Sequence, residues 1–339
     1  MDMDRAVYIM SYEGCSSMLP RPYRDYGSYL RGLFGCRVQK ISLDAGLTCP
    51  NRDGKLGHGG CIYCNGRGSG TGASRRSQSI AEQISDAKPY LRARYGASKF
   101  LAYFQSFSNT YAPLPVLRAM FEQALADQDI AGLSIGTRPD CLAHEALEYL
   151  GKLSAHRYVC LELGLQSANN TTLACIRRGH GVEAFEDAVR RTRVHKIPIC
   201  VHIILGLPGE TRDDMVRTAQ FIASQDIQAI KIHTLYVVKD TELEQLYLRG
   251  EYRCLSREEY VAIAAEVLSH LRSDIVIQRL TGDPHPDELV APPWTLEKRA
   301  NLAAIHAYMH ERGLYQGKAL ENRDEMFSNG CIDTAVRVS

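Results

Sequence analysis

Short apolar runs recur along residues 37–237, and segments with helical periodicity separate them. The runs over 37–43, 99–104, 132–135, 158–163, 197–205 and 229–237 read as strands. Helical patterns lie between them, over 114–127, 142–153, 182–194 and 211–225. Another opens at Ser79, where Ser79-Ile80-Ala81-Glu82 has the form of a capping box, and Thr211 is the expected N-cap of the last. Strands that alternate with helices predict a parallel sheet, either curled into a barrel or doubly wound.

Polar positions within the strands separate these two forms. Glu162 stands between Leu161 and Leu163, His202 between Val201 and Ile203, and Lys231 and His233 alternate with Ile230 and Ile232. Parallel strands covered on both faces are almost wholly apolar. A lone, internally bonded polar residue explains any one of these, but three strands with the same feature favour a curled sheet around a polar, ligand-filled interior. The fold class expected is therefore α/β, with a TIM-like partial barrel and a small C-terminal α/β extension. In such folds the loops after the strands build the site. Those loops include Cys49–Cys64 after the first strand, Gly136-Thr137-Arg138-Pro139-Asp140 after the third and Gly206-Leu207-Pro208-Gly209-Glu210 after the fifth. Past residue 240 the alternation fades into a helix over 256–271, a strand over 274–280, a proline-rich loop and a last helix to about residue 312. Trp294 either closes the barrel or anchors that last helix. The expected division is an N-terminal extension over 1–25, the barrel over 26–240, an extension packed on it over 241–316, and a loose tail over 317–339.

Composition narrows the function classes. The 40 basic and 39 acidic residues nearly cancel, so the whole chain exerts no strong pull on nucleic acid or membrane. No apolar run approaches the roughly 20 residues that span a bilayer, and the first residues lack the order of a secretory signal. A cytoplasmic protein is expected. In that setting its 11 cysteines are read as thiols rather than disulfides. Cys160 and Cys200 lie in apolar runs and read as small buried hydrophobes.

Cys49, Cys61 and Cys64 differ, because they lie among glycines and polar residues with C-x11-C-x2-C spacing. Two readings are open. With His58 they make a four-ligand zinc set, and the chain is then a zinc-stabilised binding protein. Alone they make an iron–sulfur site with one iron left free, since clusters usually take four cysteines.

The stretch Ser42–Asn65, with Tyr63 before the third cysteine, resembles the radical S-adenosylmethionine superfamily, and within it the YhcC-like family near the Elongator radical domain. Further matching segments are Ala102-Tyr103-Phe104-Gln105, Gly136–Cys141, Leu161–Gln166, Arg178-Gly179-His180 and Gly206–Glu210, so the resemblance spans roughly 22–316. The first cysteine gap is eight residues longer than the superfamily's usual C-x3-C-x2-C.

The resemblance implies a partial (β/α)6 barrel. It implies a [4Fe-4S] cluster on Cys49, Cys61 and Cys64, whose free iron chelates S-adenosyl-L-methionine. Reductive cleavage would give a 5′-deoxyadenosyl radical that takes hydrogen from an unknown substrate, with a flavodoxin- or ferredoxin-type electron donor. It further implies cofactor contacts from Gln105 and Ser106, where the superfamily has a glycine-rich turn. Thr137 or Arg138 stands in for an acidic residue after the third strand. Gln166 and Arg178 match a pair in coproporphyrinogen dehydrogenases, and His202 lies near the adenosine. Glu162 completes the set, and the glycines of the 206–210 turn are expected to let backbone approach the adenine. Lys231, His233, Lys239, Arg279 and His285 are candidates to face substrate. A tRNA substrate, by analogy with Elongator, is an alternative that the near-neutral chain does not favour; Arg67, Arg75 and Arg76 would then offer phosphate contacts.

Overall fold

The computed structural model describes residues 21–66, 68 and 78–321. Arg67, Arg75 and Arg76, with most of both terminal segments, lie outside the described residues.

The chain opens with α1 (Tyr26–Phe34), capped by Asp25 and ended by Gly35 at φ 67°. Units of strand and helix follow: β1 (Val38–Leu43), α2 (Ile80–Tyr95), β2 (Lys99–Phe104), α3 (Leu114–Leu125), β3 (Ile130–Thr137), α4 (His144–Ser154), β4 (Tyr158–Gln166), α5 (Asn170–Cys175), α6 (Val182–Val194), β5 (Ile199–Leu205), α7 (Arg212–Ser224) and β6 (Ala229–Thr234). The C-terminal part holds β7 (Val237–Val238), α8 (Glu242–Leu248), α9 (Arg257–Ser269), β8 (Val276–Arg279), β9 (Leu289–Ala291) and α10 (Lys298–Glu311). Both expected caps form: Ser79 and Glu82 close a capping box on α2, and Thr211 and Asp214 close one on α7.

Seven parallel strands form one curled half-barrel in the order β1-β2-β3-β4-β5-β6-β8. The seventh comes from the C-terminal segment, where β8 pairs with β6. The run expected over 229–237 divides, because Val237 and Val238 leave the sheet to pair antiparallel with β9. Residues before α1 are tied down as well: Ile277 N donates to Arg24 O at 2.8 Å and Gln316 N to Pro22 O at 2.9 Å.

Strand alternation sorts the side chains into two faces. The outward face is apolar and packs on the helices, as where Phe104 meets Phe121 edge-on with ring centroids 5.2 Å apart. The inward face is layered. Val38, Leu101, Cys160, Cys200, Ala229 and Val276 lie lowest, covered by Tyr26, Tyr29 and Leu30 of α1. One step along each strand come Lys40, Tyr103, Ser134, Glu162, His202, Lys231 and Gln278, and above them the strand ends open into the loops. Trp294 packs on Tyr260, 5.5 Å between centroids, and donates to Leu255 O; it anchors the last helix.

The inward face of β3 carries only Gly132, Ser134 and Gly136, which leaves room for the longer residues opposite. A Cβ at Gly132 would come within 2.2 Å of the Tyr158 carbonyl oxygen. Gly132→Ala is therefore expected to lower stability by about 2 kcal/mol, seen as a lower urea midpoint at unchanged slope. A wild-type midpoint would show that β3 and β4 separate at no cost.

Candidate functional site

Glu162 sits at the centre of the inward layer with its side chain 0% exposed. Its carboxylate accepts from Lys40, from Lys231, from Ser134 Oγ at 2.6 Å and lies 2.7 Å from His202 Nε2. Lys40 also donates to Gln278 Oε1 at 2.8 Å, joining the first and last strands of the half-barrel across its interior. Tyr103 supplies a ring face to both lysines, 4.7 Å from Lys40 Nζ and 4.0 Å from Lys231 Nζ. Burial alone would raise the Glu162 pKa, but Lys231, Lys40 and His202 outweigh it and hold the carboxyl well below its usual range. Burial also opposes the charge of Lys40, yet Glu162 reverses this and raises its pKa. Lys231 is pushed down to about 7, by burial first and then by Lys40 and Arg279, with Glu162 resisting.

The sequence reading put Glu162 among the cofactor contacts. The structure makes it the floor beneath the site, since its lone pairs are occupied by protein donors. The ligand atoms of Glu162, Cys200 and His202 lie within 4.8 Å of one another. Two lysines already answer that carboxylate, so a cation there would meet like charges.

The cysteine loop leaves β1 and folds back in tight turns. Arg52 N bonds Cys49 O at 2.8 Å, Leu56 N bonds Pro50 O at 2.8 Å, and Cys64 N bonds Cys61 O at 2.9 Å. Ile62 anchors it in a second apolar cluster with Leu173, Ile176, Leu207 and Leu243. The extra residues between Cys49 and Cys61 supply two side chains that sequence reasoning missed. Asn51 is buried, with Nδ2 at 2.6 Å from Arg177 O and 3.7 Å from Cys61 Sγ. Arg52 Nη2 donates to Cys64 O at 2.7 Å and Asn65 O at 2.6 Å. His58 is exposed and bridges back to Asp53.

A single zinc holds its thiolates near 3.8 Å apart, given Zn–S bonds of about 2.3 Å in a tetrahedron. Among the described residues, the only such group with all ligand atoms within 4.8 Å is Glu162, Cys200 and His202. Cys49, Cys61 and Cys64 form no such group with one another or with His58. A multi-iron cluster gives each thiolate its own iron and does not require them to converge on one ion.

The rim beside the cysteines is braced by arginines. Arg178 is buried, with Nη2 donating to Gly164 O at 2.7 Å, Nη1 3.8 Å from Cys61 Sγ, and Nε without a partner. A Cβ on Gly164 would meet Gln166 Nε2 at 2.6 Å and Arg178 Nη2 at 2.7 Å, so the Gln166/Arg178 pair converges where glycine leaves space. Arg138 grips Asp140 through two bonds, at 2.9 and 2.7 Å, and donates to Arg178 O at 2.7 Å. Its guanidinium braces Arg178 and is otherwise spent. Thr137 Oγ1 is 2.6 Å from Thr110 Oγ1.

One cavity of about 220 Å³ runs through the barrel mouth. Cys49, Cys61, Cys64, Gln105, Thr137, Arg138, Glu162, Gln166, Arg178 and His202 all border it; Ser106 does not. His233, Arg279 and His285 also border it, while Lys231 lies in the floor layer and does not, and Lys239 donates outward to Asp287 O. Gly206 is not at the cavity either: Leu255 covers it, and Tyr252 donates to its carbonyl at 2.9 Å. The turn expected to face adenine instead seats the C-terminal segment.

Comparison with known proteins agrees with this geometry. Residues 52–222 match the family model of the radical SAM superfamily and residues 227–311 that of the Radical_SAM C-terminal domain. The chain is 40% identical over 303 residues to the uncharacterized protein YtqA of Bacillus subtilis (strain 168), covering 89% of this chain and 94% of YtqA. It is 33% identical over 296 residues to protein YhcC of Escherichia coli (strain K12), covering 87% and 94%. Over 54% of this chain, and 34% of the other, it is 28% identical to a tRNA uridine(34) acetyltransferase of Methanocaldococcus infernus. The solved structure of Methanocaldococcus infernus Elp3 lacking residues 1–46 shares the fold at TM-score 0.63 and 18% identity, covering 82% of this chain and 64% of that one. Among the described residues no helix is long and apolar enough to cross a membrane.

Burial gives the floor a pH signature. His202 is held neutral, its pKa pushed down to about 4 by burial first and by Lys231 next. Between about 6.5 and 4 the unfolded chain takes up a proton that the folded one refuses. The neutral histidine's contribution is therefore complete above 6.5 and is lost as the pH falls toward 4. Urea stability should decline across that window, by an amount on the order of 3 kcal/mol from this residue, and His202→Gln should flatten the decline. An equal slope in the variant would mean that His202 is protonated in the fold.

Proposed function

The chain belongs to the radical SAM superfamily, in the family of YtqA and YhcC, and from that premise we propose how its enzyme site works. Cys49, Cys61 and Cys64 hold a [4Fe-4S] cluster, and the cavity beside them takes S-adenosylmethionine together with a substrate. The observation that carries this reading is one cavity bordered by the three thiols and also by basic and aromatic residues. When bound, the cluster and S-adenosylmethionine supply one-electron cleavage of the sulfonium and abstraction of a substrate hydrogen, fed by a low-potential reductant.

The chain's own residues prepare that site. Asn51 and Arg178 aim N–H groups at Cys61 Sγ, and donors to cluster sulfurs are among the features that set reduction potential. Arg52 holds the Cys64 end of the loop by its carbonyls. Arg178, braced by Arg138 and with Nε unpaired, offers a buried cation to a carboxylate. Gln166 lies beside it, in the space that the missing side chain of Gly164 leaves. Tyr63, Phe107 and Tyr236 border the same cavity and exclude water from it.

Anaerobic reconstitution tests the reading. The wild type should bind about four irons per chain, as a [4Fe-4S] cluster requires, and release 5′-deoxyadenosine under reducing conditions. Cys64→Ala should lose most of the iron, whereas His58→Ala should keep it. Full zinc occupancy without iron, or iron loss in His58→Ala, would overturn the assignment.

A second reading, with RNA as the substrate, is favoured by the similarity to tRNA uridine(34) acetyltransferase. Added tRNA should then raise the rate of 5′-deoxyadenosine formation, with a stimulation that fades as salt increases. A rate indifferent to tRNA at low salt would remove this reading.

A further inference from the structure

Part of the cavity lining comes from residues outside the proposed cofactor contacts. His233 comes from β6, Tyr236 follows it, Arg279 ends β8, and His285 lies in the loop beyond. Among the described residues Arg279 makes no hydrogen bond. Its one acidic neighbour is Asp283, with Oδ2 3.9 Å away, and that same oxygen accepts from Lys298 Nζ at 3.1 Å. The Arg279 side chain is 23% exposed and borders the cavity.

Cations and carboxylates both stand around it. Glu162 is the one carboxylate in the floor, and it faces both Lys40 and Lys231. Arg279 adds a further cation, and its field lowers the proton affinity of Lys231 and of His233, where burial is the larger cause. Of the rim acids, Asp283 is shared with Lys298 and Glu288 accepts from Asn65 Nδ2 at 3.0 Å. Tyr103, Ile204 and Leu235 line the same cavity. A guanidinium that borders such a cavity and makes no hydrogen bond among the described residues matches a planar, two-oxygen anion.

We propose that Arg279 binds an anionic group of the substrate, a carboxylate or a phosphate, with the reacting carbon held between it and the cysteine end of the cavity. This rests on the radical-enzyme reading above. It also divides recognition along the chain: the segments around β1 to β4 supply the cofactor end, and β6 to β8 with their loops supply the substrate end.

The test uses the reconstituted full-length protein with S-adenosylmethionine present, so that Arg178 is occupied. Malonate serves as the carboxylate probe and inorganic phosphate as the phosphate probe, each titrated calorimetrically. One of them should bind the wild type, and the preferred probe identifies the group. Arg279→Gln should weaken that binding about tenfold or more, the loss of one charge-assisted contact, with iron content and S-adenosylmethionine affinity unchanged. Arg279→Lys, which keeps the charge without the fork, should fall between and serves as the folded control. Equal probe affinity in Arg279→Gln, or no binding of either probe to the wild type at millimolar concentration, would overturn the proposal. So would loss of S-adenosylmethionine affinity in Arg279→Gln, since that would place the residue at the cofactor. Failure of the wild type to take up iron would instead overturn the broader reading.

Discussion

Glu162 brings a negative charge to the centre of a sheet whose outer face is mostly apolar, and every strand of the sheet sends a side chain toward it. Lys40, Ser134, His202 and Lys231 reach the carboxylate directly. Gln278 reaches it through Lys40, and Tyr103 lies under both lysines. A carboxylate withheld from water is tolerated only where its charge and lone pairs are answered. Meeting that demand draws β1 and β8, the two free edges, toward a common point. Backbone bonding leaves the barrel half open, and this buried network ties its edges together.

The cavity inherits its character from that floor. Below it lies a dry layer sealed by α1, and above it the strand ends release the loops that carry the thiols. Rigidity at the cysteine end comes from contacts made by the loop's extra residues and by the Asp140–Arg138–Arg178 chain. Arg138 and Arg178 differ in consequence, although both are buried arginines at one rim. The first has its fork filled by Asp140 and serves as a brace, whereas the second keeps one N–H unpaired near the sulfurs.

Much of this arrangement is legible in the chain. Helix α6 occupies the residues its pattern predicts, and both expected caps, Ser79 and Thr211, form, because caps and amphipathic faces depend on neighbours a few residues apart. The inward polar residues on β4, β5 and β6 reveal the curl, because strand alternation has a period of two wherever a strand lies. Helices α1, α5 and α8 escape such reading. They are 9, 6 and 7 residues long, too short to establish a period. The seventh strand was expected as a strand but not as a member of the barrel sheet, since its pairing with β6 joins residues across two intervening helices.

By itself the sequence determined the alternation of strands and helices, the polar interior and the reactive trio of cysteines, all consequences of local spacing and residue chemistry. Only the tertiary structure decided what each polar group faces. It turned Glu162 from a contact residue into a floor, gave Arg138 to Asp140, covered the Gly206 turn with Leu255, and left Arg279 without a hydrogen bond to any of the described residues. Those outcomes follow from which groups the fold brings together in space, and spacing along one chain does not encode that.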